Sequence, residues 1–120
     1  MPNKLTLAAA ALTTLLPLAA TAEGFSKVTN KSEFVSLISG KTLKRIGIRL
    51  EVAATGAIIG RGLGRDVQGA WRWDNGYFCR DLFWGKRDLG FNCQQVEVSG
   101  SVIRFTSDKG AGQYADLRME

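Results

Sequence analysis

The residues of this chain best suited to chemistry are arginines set among aromatic rings. Arg72, Phe78, Arg80, Leu82 and Trp84 alternate with other residues around Asp74-Asn75-Gly76. Guanidinium groups pair with anions and neighbouring rings supply rigid contact area, so this composition suits a binding face. Read as a three-residue loop closed by a G1 bulge, Asp74-Asn75-Gly76 pairs Trp73 with Tyr77 and Trp71 with Cys79. One sheet face then carries Trp71, Trp73, Tyr77, Cys79 and Phe83 as core. The other offers Arg72, Phe78, Arg80 and Trp84 as a candidate interaction face, joined by Arg61 and Arg65 if their strand lies alongside. The structural alternative for that face is arginine stacked on a ring, or cover by the N-terminal helix.

Other chemistries find few residues. Histidine is absent, which removes the commonest general base and metal ligand. Cys79 and Cys93 are the only cysteines. Without a C-x-x-C spacing, an even pair in a small exported domain reads as a disulfide and not as a redox or zinc site. Closing a loop of about 15 residues stabilises by about 3 kcal/mol on the loop-entropy account. No serine has a histidine or a recognisable lysine partner. The acids Glu51, Asp66, Asp74, Asp81, Asp88, Glu97, Asp108 and Asp116 are spread singly, so a two-carboxylate hydrolase would need them to converge in space. No catalytic, cofactor-binding or metal-binding residue is assigned, and no cofactor is expected. Gly60-Arg61-Gly62-Leu63-Gly64-Arg65 lacks the spacing and strand-to-helix setting of a dinucleotide loop. Its alternate glycines read as a strand face on which a ring can lie, or as a point of strong curvature.

The elements that must hold these residues begin after an apparent leader. Lys4, the apolar run Leu5–Ala20 and the small-residue exit Ala20-Thr21-Ala22 have the form of a cleaved export signal over residues 1–22. Its apolar stretch is short for a membrane span. Residues 23–120 then form a single domain in the periplasm or outside the cell, with no span of its own. The net charge is +5, all but the Lys4 charge following the leader. A basic exported domain meets anionic envelope components or acidic proteins as partners; nucleic acid does not fit that compartment.

Within the domain, Asn30 and Glu33 form a helix-capping pair, Phe34, Leu37 and Ile38 share one helical face, and Gly40 ends the helix. The period then changes to two. Ile46, Ile48, Leu50 and Val52 make a half-buried strand, and Thr55-Gly56 turns it back, setting Val52 opposite Ile59 and Arg61 opposite Leu50. Lys86-Arg87-Asp88 returns the chain so that Cys79 meets Cys93. Val96 and Val98 fall on the opposite parity from Phe91 and Cys93, which predicts a bulge at Gln94-Gln95. Ser99-Gly100 aligns Val96 with Ile103, and Ala115, Leu117 and Met119 alternate in a last strand. The fold class is mainly β: an antiparallel meander of six to seven strands closing toward a barrel, with one short N-terminal helix.

The segments Gly69–Trp73, Gly76–Arg80, Asn92-Cys93-Gln94 and Arg104-Phe105-Thr106-Ser107-Asp108-Lys109-Gly110 resemble a group of small exported alphaproteobacterial proteins that carry the name dihydrodipicolinate reductase. The name implies an NAD(P)H-dependent oxidoreductase. Such a reductase has two domains, a dinucleotide glycine motif and a histidine-containing catalytic segment, and this chain has neither the motif nor a histidine. More loosely, the W-x-W strand and the two cysteines resemble exported domains with lipocalin-like half-barrels. The expected function is an exported, non-enzymatic binding or interaction module, such as an inhibitor or envelope-complex accessory. The alternatives are the reductase and a small acid-dependent hydrolase.

Overall fold

The computed structural model describes residues 24–120; the leader assigned to residues 1–22 lies outside them. Alternation of apolar and polar residues, broken every few positions by glycine turns, folds the chain into an antiparallel meander. Its strands are β1 (Ser26–Lys27), β2 (Leu43–Arg45), β3 (Ile48–Val52), β4 (Ala57–Gly62), β5 (Arg65–Asp74), β6 (Tyr77–Trp84), β7 (Arg87–Ser99), β8 (Val102–Thr106) and β9 (Tyr114–Met119), with helix α1 (Lys31–Ile38) between β1 and β2. Each strand from β2 to β9 pairs with the next, and β9 returns to pair with β2, so the sheet closes into an eight-stranded barrel. Closure leaves no free edge in that ring. The extra strand, β1, lies along the far half of β7, with Ser26 opposite Val98.

Among the described residues the strand count is thus nine and not six or seven. β1 and β2 are too short, at two and three residues, for alternation to reveal them. Ile46 is not part of a strand: it sits in the turn between β2 and β3.

Helix α1 forms as its sequence dictates. The Asn30 side chain accepts from the Glu33 amide at 2.8 Å, while Glu33 reaches back to the Thr29 amide at 3.4 Å. Gly40, at φ +71°, ends it. Phe34 and Ile38 are fully buried and seal one end of the barrel. The Phe34 ring lies 5.1 Å from Trp71, 5.3 Å from Trp73 and 5.1 Å from Phe78. Truncating such a ring to alanine costs about 3–5 kcal/mol, enough to make the helix a structural plug. Val28, Leu43, Val96, Ile103 and Phe105 complete the packed end.

Register decides which residues face inward. Asp74 pairs with Tyr77 across a two-residue turn, in which Asn75 has φ +51° and Gly76 φ +89°. Both central residues are left-handed, as the tight hairpin turn favoured by Asn-Gly requires. Trp73 therefore faces Phe78 and Trp71 faces Arg80, one residue away from the expected pairs. Trp71, Trp73, Phe78, Arg80, Leu82 and Trp84 consequently share the inner wall, while Arg72, Tyr77, Cys79 and Phe83 belong to the outer one. The β3–β4 hairpin is shifted likewise: Val52 faces Ile58, Leu50 faces Gly60 and Arg61 faces Arg49. On β7, Gln94 already lies on the inner parity with Val96 and Val98, so no bulge is needed there. The irregularity instead falls nearer the β6–β7 turn, where the two steps from Asp81 to Phe83 on β6 face three steps from Phe91 to Asp88 on β7. Val96 faces Phe105, and Val98 takes Ile103.

Candidate functional site

Below the helix plug the barrel is not filled. A cavity of about 190 Å³ is lined by Leu50, Phe78, Arg80, Leu82, Gln94 and Phe105, among others. Leu50 and Leu82 also form part of an apolar recess of about 280 Å³ at the opposite end from α1, walled by Ile48, Leu63, Val67, Trp84 and Leu89. Glycines leave the space that larger residues would occupy. Gly60 and Gly62 on β4 and Gly69 on β5 share the inner parity with Leu50, Val67 and Leu82. A Cβ at Gly60 or Gly69 would strike the carbonyl oxygen of Arg49 or Asp81 respectively, so the strands cross here too closely for any side chain. Trp84 lies against Gly62, donating its indole N–H to the Gly62 carbonyl at 2.6 Å. Gly62 thus provides the seat for a ring, while Gly64, at φ +83°, lies in the turn after β4.

Arg80 is the cation of this interior. Its guanidinium donates to the Gly90 carbonyl at 2.7 Å, and among the described residues no carboxylate forms an ion pair with it. Burial lowers its pKa from the ordinary arginine value, opposed in part by the nearby Asp81 carboxylate. Arginine remains charged even so, because its intrinsic pKa is so high. Gln94, nearly buried, is the other polar side chain of the cavity wall, and its amide donates to the Ser107 hydroxyl at 3.2 Å. Half-buried and without a carboxylate partner among the described residues, the Arg80 guanidinium lines the apolar chamber and can receive an anion there.

The candidate face of Arg61, Arg72, Phe78, Arg80 and Trp84 is divided by the barrel wall. Phe78, Arg80 and Trp84 lie inside, Phe78 beneath Phe34 and Trp84 toward the open end. Arg72 lies outside, 5.1 Å over the Phe91 ring and 3.9 Å from Asp74. Arg61 is also outside, bound to Asp66 at 2.7 Å and to the Gly64 carbonyl at 2.6 Å. Arg65 stacks over Trp84 at 4.8 Å. Leu50, Gln94 and Leu89 were not marked by the sequence as lining residues; the Asn75-Gly76 turn was the signal that, read as a two-residue loop, turns this wall inward.

Cys79 and Cys93 are bonded across adjacent strands on the outer wall. Asp66 and Asp116 pair with arginines, Asp88 accepts from the Gly90 amide, and Asp108 binds Asn92, so these acids hold structure. The Gly60–Arg65 run is a strand and a hairpin turn leading into another strand, not the strand-to-helix turn of a phosphate loop. No family model matches the chain, and comparisons with curated proteins and with solved structures find no match either.

Proposed function

We propose that this chain is an exported binding module that holds a small amphiphile inside its barrel, the apolar portion in the chamber and an anionic head on Arg80. The observation that carries the reading is Arg80 itself, an inward cation without a carboxylate partner in a space otherwise walled almost wholly by hydrocarbon. The cavity and the recess together fall near the lower end of the about 300–1,000 Å³ typical of small-molecule sites. An apolar chamber with few polar groups is how such sites combine affinity with orientation. The disulfide accords with an oxidising compartment, and the leader pattern of residues 1–22 accords with export.

The test uses intrinsic tryptophan fluorescence, because Trp71 and Trp84 both share the inner wall. Titration with dodecanoate should give a saturable change, and dodecanol, with the same tail and no charge, should bind at least about tenfold more weakly, as loss of a charge-assisted contact predicts. Arg80→Leu should remove that preference. Absence of saturable binding to either compound, or a preference that survives in Arg80→Leu, would defeat the reading.

A further inference from the structure

The open end of the barrel carries aliphatic side chains directed outward. Ile46, at the β2–β3 tip, is 98% exposed; Leu63, at the β4–β5 tip, is 72% exposed; Leu89, just after the β6–β7 turn, is 45% exposed. They form one rim. The Leu63 amide donates to the Gly47 carbonyl at 2.8 Å, its side chain lies over Gly47, and Leu63 and Leu89 wall the same recess. Leu63 also has φ +49°, a left-handed conformation that asparagine or glycine adopts with less strain. A folding requirement alone would not place a solvent-facing leucine there.

Cations surround these tips. Arg45, Arg65, Lys86 and Arg87 are all exposed, and all lie at or beside the same three turns. Asp66 and Asp88 are the acids at these three turns, one paired with Arg61 and the other accepting from the Gly90 amide. Apolar tips ringed by positive charge are the arrangement that interfacial binding to acidic lipid uses: hydrocarbon enters the headgroup boundary while Lys and Arg remain at the phosphates. A folded protein partner would call for a continuous complementary patch of ordinary interface size. Three single aliphatic tips on separate hairpins fit a fluid layer better.

We infer that this rim docks on an anionic lipid bilayer, with Ile46, Leu63 and Leu89 entering the headgroup region and Arg45, Arg65, Lys86 and Arg87 lying among the phosphates. The docked barrel directs its recess at the membrane. This goes beyond the interior binding site and stands without it, since an empty barrel has the same rim.

Co-sedimentation with vesicles tests it. The protein should bind vesicles of phosphatidylcholine mixed with phosphatidylglycerol and not vesicles of phosphatidylcholine alone. Lys86→Glu with Arg87→Glu should weaken binding by about tenfold or more, given the attraction of each cation to an anionic surface. Ile46→Ser with Leu63→Asn should weaken it by about tenfold through lost apolar insertion, with the thermal midpoint of the fold retained. Arg80→Leu should bind vesicles as the parent does, so that the rim and the interior site stand or fall separately. Equal binding to both vesicle types, no binding to either, or full binding by the Ile46/Leu63 variant would overturn the inference, the last by reducing it to adsorption of a basic protein.

Discussion

Arg104 and Asp116 are locked side to side across β8 and β9, the guanidinium donating through Nε at 2.8 Å and through a terminal nitrogen at 3.0 Å to the two carboxylate oxygens. The same guanidinium lies 4.0 Å from the Phe25 ring and 4.0 Å from the Tyr114 ring, so one side chain ties the N-terminal segment to the barrel wall. The hydrogen bonds from Arg104 hold the Asp116 carboxyl below its ordinary 3.8, and Arg118 with Lys44 lowers Glu120 in the same sense. A carboxylate with a lowered folded-state pKa adds stability above its unfolded value and loses it as pH falls through the folded one. The thermal midpoint should therefore hold from neutrality to about pH 5 and decline below about pH 4. Asp116→Asn should flatten part of that decline when melts are recorded across the acid range.

Arg80→Leu should not destabilise the barrel. Replacing a half-buried charge that has no carboxylate partner with a hydrocarbon of similar volume is expected to be close to neutral. Urea denaturation of the variant should give a midpoint equal to or above the parent's. A large fall would mean that the Gly90 contact is a needed strut and that the cation serves the fold.

Gly60→Ala and Gly69→Ala should each be costly, because the added methyl meets backbone carbonyls that cannot swing aside. Overpacking of this kind costs about 1–3 kcal/mol or more. Gly62→Ala offers the control: its Cβ would sit 3.5 Å from Val67 and 3.6 Å from the Trp84 indole nitrogen, an ordinary contact. Chemical denaturation should rank Gly62→Ala close to the parent and the other two well below it.

Cys79 and Cys93 are separated by 14 positions, and Cys79 is almost wholly buried. Converting both to alanine should lower unfolding free energy by about 3 kcal/mol on the loop-entropy account. A denaturation curve unchanged by thiol reductant would show the bond to contribute nothing.

The sequence disclosed some parts of this molecule and concealed others for identifiable reasons. The Asn30–Glu33 cap, the Phe34/Ile38 face and the Cys79–Cys93 bridge depend on local spacing or simple count, and the structure has all three. Alternation on β6 grouped Phe78, Arg80, Leu82 and Trp84 correctly on one face. It did not say which face was inside, because the opposite parity holds Tyr77, Cys79 and Phe83, and both faces look apolar. With no clean polar side, register rested on the turn alone, and one residue of difference at Asp74-Asn75-Gly76 exchanged inner for outer. The false bulge at Gln94-Gln95 followed from the same error, since it assumed that Cys93 faced the core. The chamber around Arg80 is built from strands distant in sequence, and no single segment bears its mark.

The ladder between β2 and β9 differs from every other in the ring. The Thr42 amide donates to the Glu120 carbonyl at 3.0 Å, and the Glu120 amide returns to Thr42 at 2.9 Å. The remaining ring ladders join strands adjacent in the chain and need only short loops to form, whereas this one spans nearly the whole barrel. Assembly therefore divides into a series of quick zippering events and one late, entropically demanding closure. Until that closure is made, two bare strand margins stand ready to pair with another molecule. The interval before the ring shuts is when self-association competes most strongly with folding.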